Sequence, residues 1–565
     1  MHSMSFETLI QALYAAPADK PFVTMWHDED DIHSVTFGEF RLQAQMIAAA
    51  LRDRGLEQGD TVILIMPQGI DLMAAFAGAM MLGAVPSILA YPNFKVEASK
   101  YRSGLAGVSK NLKARLVVLD SEFPDEFLDY IESEDDTQVV HGIQSPASSE
   151  IGAIVPQQFD AEGLAFIQHS AGTTGLQKGV ALSHAAILRQ LDHLGQALQI
   201  TSSDRIYSWL PLYHDMGLIA CFMLPMVYHL PIVMQSPTDW VMQPGTMVQL
   251  ISEYRCTLGW VPNFTLQFVA RRTHPDDIDD LELSSLRALI NCSEPVRAQS
   301  LDEFLRVFVP CGLNAHALQS SYAMAENVFC VTQSGINGAD GPQRLWLDAT
   351  SLRTKHVALP VTKETPGAIE IVSSGQCLPH NEVRIQGDNG ELLPDGAVGE
   401  ILVRSDSLFD GYYNRPDLTT QALRGGWYLS GDLGFVHERE LYVIGRKKDL
   451  IIVAGKNIYP PDVEEIAFSH PDIPDGRAVA LGIENRELGT EDIVIVAEVG
   501  NEAMLEHSYD IERAVRAAVV AELGVAARAV YLKPPRWIVK STAGKPARAA
   551  TKDKLLSEHP ELNAH

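Results

Sequence analysis

The chain has 565 residues, too many for one hydrophobic core, so it divides into two or more domains. Apolar residues make up 46% and charged residues 21%, an ordinary composition for a globular enzyme, and the net charge of −28 argues against bulk nucleic-acid binding and against docking on anionic lipid. The six cysteines form no CxxC pair, which speaks against a zinc site or a disulfide framework and for buried thiols in a reducing compartment.

The first residues lack a basic region followed by an apolar core, so no signal peptide is expected. Two long apolar runs, 73–90 and 218–234, are broken by Pro86, Pro225 and Pro231. They read as buried helix-plus-strand segments, not membrane spans. The expectation is a cytoplasmic monomer with no membrane insertion.

The elements alternate. A helix ends at Gly55, a strand spans 61–66, a helix 70–82, and strands 84–89 and 116–119 follow. Such spacing predicts a parallel sheet with helices on its faces. An apolar strand at 164–167 runs into the loop 170–179, rich in Gly, Ser and Thr. A helix capped by Ser183 carries Ile187, Leu191, Leu194 and Leu198 on one face. Strands are then expected at 205–210, 230–234, 258–261, 289–292 and 315–319, with helices at 216–226 and 247–254. Segment 333–366 breaks the rhythm and reads as an insertion or elaborated loop. Short antiparallel strands follow over 369–403, with turns at Gly387-Asp388-Asn389-Gly390 and Pro394-Asp395-Gly396. A compact αβ unit follows, with helices at 462–468 and 511–523 and strands at 478–481, 493–499 and 528–532. The fold class is α/β: a large domain of mixed and parallel sheets (1–447) with a small antiparallel, barrel-like part, then a small α+β domain (448–565).

A strand, a Gly/Ser/Thr loop and a helix suit phosphate binding, because converging N–H groups, hydroxyls and Lys178 all offer positive charge. The loop His169-Ser170-Ala171-Gly172-Thr173-Thr174-Gly175-Leu176-Gln177-Lys178-Gly179 is not a Walker A loop, since no Gly-Lys pair follows Gly172 at the required spacing. Downstream stand Tyr322-Ala323-Met324-Ala325-Glu326, Tyr428-Leu429-Ser430-Gly431-Asp432, Gly445-Arg446-Lys447-Lys448-Asp449 and Lys540-Ser541-Thr542-Ala543-Gly544-Lys545. In this order they resemble the adenylate-forming superfamily of acyl-CoA ligases, fatty acyl-AMP ligases, nonribosomal adenylation domains and luciferases.

The resemblance implies ATP as substrate and Mg²⁺ as cofactor. It implies that Ser170, Gly172, Thr173, Thr174, Gly175 and Lys178 hold the β- and γ-phosphates. Ser293, Glu294, Ser321, Tyr322, Ala323, Met324, Ala325 and Asp432 would complete the nucleotide site, with Tyr322 against adenine and Asp432 on the ribose. Glu326 would hold Mg²⁺, Arg446 would reach ribose or phosphates, and Lys545 would bridge carboxylate and α-phosphate from a mobile C-terminal domain hinged at Lys448. Several residues depart from the family pattern: Ala171, Gln177, Ala325 in place of a threonine, and Pro546. None removes a charge the reaction needs.

Within the superfamily, Trp209-Leu210-Pro211-Leu212-Tyr213-His214-Asp215-Met216-Gly217 and Trp260-Val261-Pro262-Asn263-Phe264 are most similar to fatty acyl-AMP ligases. The resemblance implies an acyl pocket formed by Trp209, Tyr213, His214, Met216, Gly217, Trp260 and Phe264, with Asp215 structural. Trp260 and Phe264 suit a plain core equally well. Gly375 lies 49 positions after Glu326. That interval implies the subfamily's insertion, at about 330–366, which hinders formation of a CoA site. The expected activity is activation of a fatty acid to acyl-AMP, then transfer to a holo-acyl carrier protein. An acyl-CoA ligase, or a binding protein without catalysis, remains an alternative. Eight basic residues lie between Arg528 and Lys554 against Asp553 alone. They suggest a face for an acidic carrier through Arg528, Lys533, Arg536, Arg548, Lys552 and Lys554.

Overall fold

A computed structural model describes residues 6–92, 98–132, 137–143, 159–169, 178–335, 341–454, 456–485, 490–540 and 545–563. Its centre is a nine-stranded sheet. The strand order is Gln376–Cys377, Cys330–Gln333, Leu318–Ala323, Ala288–Asn291, Leu258–Val261, Ile206–Ser208, Ile232–Met234, Pro21–Asp28 and Asp31–Thr36. Leu318–Ala323 through Pro21–Asp28 run parallel. Most of their residues are buried, as expected when helices cover both faces. A second, four-stranded parallel sheet holds Val85–Ile88, Thr61–Ile65, Leu116–Leu119 and Gln138–His141.

Local chemistry explains the helices between them. Helix Phe37–Asp53 opens with a capping box: the Glu39 amide donates to Thr36 Oγ1 at 3.2 Å, and the Thr36 amide donates to Glu39 Oε2 at 2.8 Å. Its buried stripe of Phe40, Ala44, Ile47, Ala48 and Leu51 packs on helix Ile70–Met81.

An antiparallel sheet follows, built from Asn381–Gln386, Gly399–Ser405, Trp427–His437 and Leu423–Arg424, with Glu440–Arg446 on Trp427–His437. The last part is a three-stranded sheet of Ala478–Asn485, Thr490–Glu498 and Ala527–Lys533. Helices Pro460–Phe468 and Ser508–Leu523 cover one face. Helix Arg548–Glu558 contributes Leu555 to the other.

The structure departs from the sequence reading in several places. Lys178 leads into a strand, not directly into a helix. Strand Gly179–Ser183 pairs antiparallel with Leu164–His169, and only then does Ser183 cap helix His184–Ala197. The expected helix at 216–226 is π-helical over Met216–Met223 and α-helical over Leu224–Tyr228. The strand expected from 315 begins at Leu318, after a 3₁₀ turn Ala315–Ala317. The described residues of segment 333–366 carry regular structure: Arg344–Asp348 pairs antiparallel with Ala368–Val372, and a π-helical turn Ser351–Lys355 lies between them. Gly375 ends this excursion with φ +91°, and a Cβ there would lie 2.1 Å from the Gln333 carbonyl carbon. Among the described residues, no helix is long and apolar enough to cross a membrane.

Candidate functional site

The parallel strands end along one edge, the usual ligand edge of an α/β sheet, and the chain leaving each strand there carries polar residues. Ile206–Ser208 leads to His214 and Asp215, Leu258–Val261 to Asn263 and Phe264, and Ala288–Asn291 to Ser293 and Glu294. Leu318–Ala323 leads to Met324, Ala325 and Glu326. They line a cleft of about 1320 Å³ together with Lys178, Asp432, Arg446, Lys448 and Lys545.

Asp432 and Arg446 are direct cross-strand partners. Arg446 Nε lies 3.1 Å from Asp432 Oδ1, and the buried Tyr322 hydroxyl donates to Asp432 Oδ2 at 2.6 Å. Burial, then the adjacent Asp432 charge, pushes the Tyr322 phenol well up, so it stays a donor. This fixes the carboxylate from two sides. Glu326 is 8% exposed, and the Tyr412 hydroxyl donates to its Oε1 at 2.7 Å. Lys178 Nζ stands 4.5 Å from the centre of the Tyr412 ring. Tyr412 thus ties the lysine of the phosphate loop to the acid expected to hold metal. It lies in a two-residue strand, Gly411–Tyr412, paired to Val180 and Ala181, and no motif marked it.

Lys545 comes from the last part of the chain and donates to the Ser293 carbonyl. Ser293 has φ +70°, which turns the chain at this point. The Phe264 amide donates to Glu294 Oε2 at 3.1 Å. Asp215 lies against His214, with His214 Nδ1 2.6 Å from Asp215 Oδ1. Burial raises its pKa, but the His214 contact, the Met216 amide and Lys545 outweigh that and hold it below the usual range. Lys448 lies in the turn Lys447–Asp449, and burial, then Arg446, lowers its pKa.

The remaining candidates lie elsewhere. Ser170, Gly172, Thr173, Thr174 and Gly175 fall outside the described residues. Ser321 is buried, in contact with Cys330 Sγ at 3.3 Å. Of the acyl-pocket residues, His214 and Phe264 line the cleft, whereas Trp209, Tyr213, Met216, Gly217 and Trp260 do not. Trp209 stacks on Trp240 with ring centres 3.7 Å apart, and Phe264 meets both edge-on. Trp260 is 1% exposed. Gly217 serves close packing, since a Cβ would lie 2.3 Å from the Pro211 carbonyl oxygen.

Contacts between the last part of the chain and the sheet were not foreseen. Arg297 pairs with Glu465 and donates to the Pro461 carbonyl at 2.9 Å. Arg271 pairs with Asp475, and Arg353 with Asp462 at 3.1 Å. Each arginine comes from the sheet side and each acid from the last part.

The residues of the expected cationic face make contacts within the last part of the chain. Arg548 donates to both oxygens of Glu464, at 2.8 and 2.7 Å, and reaches Asp449. Arg528 pairs with Asp492, and Lys533 with Glu558 at 2.6 Å. Lys552 donates to the Gly482 carbonyl and Lys554 to that of Trp537. Arg536 sits at a turn with φ +71°. Acids remote in sequence pair with Arg528, Lys533 and Arg548, whereas Lys552 and Lys554 are held by backbone carbonyls.

A model of the AMP-binding enzyme family matches residues 11–413. The medium-chain-fatty-acid–[acyl-carrier-protein] ligase JamA of Moorena producens is 28% identical, over 98% of this chain and 96% of its own. The long-chain-fatty-acid–AMP ligase FadD26 of Mycobacterium tuberculosis is 28% identical, over 93% and 92%. A structure from work on the fatty acyl-adenylate ligases of E. coli and L. pneumophila superposes with a TM-score of 0.90 at 27% identity, covering 99% of each chain. The chain described here therefore belongs to the AMP-binding enzyme family, the adenylate-forming ligases.

Proposed function

We propose that this protein joins a fatty acid to ATP, giving acyl-AMP and pyrophosphate, and then passes the acyl group to the phosphopantetheine thiol of an acyl carrier protein. The observation that carries the reading is the reach of Lys545 to Ser293 across a cleft whose wall holds Lys178, Glu326, Asp432 and Arg446. Adenylation brings a carboxylate against a triphosphate, so cations and fixed orientation supply the catalysis. Lys545 neutralises charge between carboxylate and α-phosphate. Arg446 and Lys178 neutralise phosphate oxygens, and Asp432, held by Tyr322 and Arg446, accepts the ribose hydroxyls. Glu326 fits Mg²⁺, which takes one or two carboxylates and completes its shell with phosphates and water. The ion would neutralise phosphate charge there.

Transfer to a carrier rather than CoA is favoured by the segment Arg344–Val372. Arg353 and His356 bind Asp462 and Asn457, and Leu347 and Leu352 share a core with Tyr459. That grip opposes swinging of the unit we place at 448–565 about Lys448. We place the reaction in the cytoplasm. The test is pyrophosphate release over acids from short to long chain. Release should depend on the acid and fall about 100-fold or more in Lys545→Ala. Release that ignores the acid, or survives in Lys545→Ala, would refute the reading.

A further inference from the structure

His214 and Asp215 form a pair that adenylation leaves unused. They follow strand Ile206–Ser208 and precede the π-helix Met216–Met223. Their side chains are 17% and 11% exposed, and Nδ1 approaches Oδ1 to 2.6 Å, off the line of a straight hydrogen bond. The Met216 amide donates to the same Oδ1 at 2.8 Å and fixes the carboxylate. The ring lines the cleft, and its Nε2 has no protein partner among the described residues. An imidazole with a carboxylate 2.6 Å from one nitrogen and its other nitrogen towards the cleft can take a proton.

Adenylation needs no such base, because a fatty acid is already a carboxylate near neutrality. Thiol transfer does need one, because an alkyl thiol is almost wholly un-ionised near neutrality. The charged and titratable neighbours that face Asp215 are Lys545 and the Cys292 thiol. Burial pushes Cys292 up to about 11, so it offers no competing base.

We propose that His214 is the general base of the thiol-transfer step and that Asp215 is its positioning residue; this rests on the transfer reading above. The thiol sulfur attacks the acyl carbonyl carbon of acyl-AMP while its proton passes to His214 Nε2. The sulfur–carbon bond forms, and the bond from that carbon to the phosphate oxygen breaks, its electron pair leaving with AMP. Nothing is oxidised or reduced.

The test supplies synthetic acyl-AMP, so adenylation plays no part, and compares two thiols after subtracting the uncatalysed reaction. A holo-acyl carrier protein presents the alkyl thiol of its phosphopantetheine arm, and 4-nitrothiophenol is already ionised at neutral pH. In His214→Gln and Asp215→Asn, discharge to the carrier should fall about 100-fold, and discharge to the aryl thiol should stay within about threefold. Equal losses with both thiols, or no loss with either, would overturn the base role. A wild-type protein that makes acyl-AMP yet discharges to neither thiol would overturn the transfer reading, and the base role with it.

Discussion

Arg297 tests whether closure of the last unit over the cleft drives adenylation. Its guanidinium, three-quarters buried, donates to the Pro461 carbonyl at 2.9 Å and pairs with the half-exposed Glu465. Arg297→Met keeps the apolar stem and removes both interactions. A hydrogen bond from a charged group contributes about 1.5–3 kcal/mol and a half-exposed ion pair at most about 1. Because Glu465 can turn into water, the loss is set at about 2–3 kcal/mol, or roughly 30- to 150-fold in the docking equilibrium. Lys545 reaches Ser293 only in the docked arrangement, so acid-dependent pyrophosphate release should fall. Proteolysis within 448–565 should rise in parallel. Unchanged release at saturating ATP and acid, with unchanged proteolysis, would refute the reasoning.

Three further outcomes follow from the packing. Tyr322→Phe removes one donor from Asp432 and should raise the KM for ATP about tenfold, with a smaller effect on the KM for the acid; equal effects on both would contradict the ribose role. Arg548→Ala strands the buried Glu464 and should destabilise the last unit by about 3–5 kcal/mol, read as a lower urea midpoint. Burial holds His169 down at about 4, against 6.5 when unfolded. As pH falls through 6.5 the unfolded chain takes up the proton first, so stability is lost between pH 6.5 and about 4, by about 3 kcal/mol. His169→Asn, which keeps a partner for Ser87, should lose less between pH 7 and 4.5 than the parent; an identical loss would contradict it.

What was legible in the sequence had local causes. Apolar runs such as Thr61–Ile65 and Leu116–Leu119 are buried on both faces, so their composition alone reveals a parallel sheet. Asp432 and Arg446 were found by motif, and the hairpin register then made them neighbours. What escaped depends on distant pairing. Tyr412 matters only because its short strand lies beside Val180, and Arg297 only because Pro461 and Glu465 fold against it. The partners of the charge run from Arg528 to Lys554 escaped for the same reason. Its balancing acids, Asp449, Glu464, Asp492 and Glu558, are set by tertiary structure. The strands Pro21–Asp28 and Asp31–Thr36 were missed because the second is exposed and polar, the mark of an edge.

The most direct measurement is the fate of the acyl group. The protein is incubated with its preferred acid and ATP, then offered CoA or a holo-acyl carrier protein. The account predicts acyl-AMP that persists with CoA and is discharged as a thioester on the carrier. Rapid formation of acyl-CoA, with the carrier left unloaded, would contradict it.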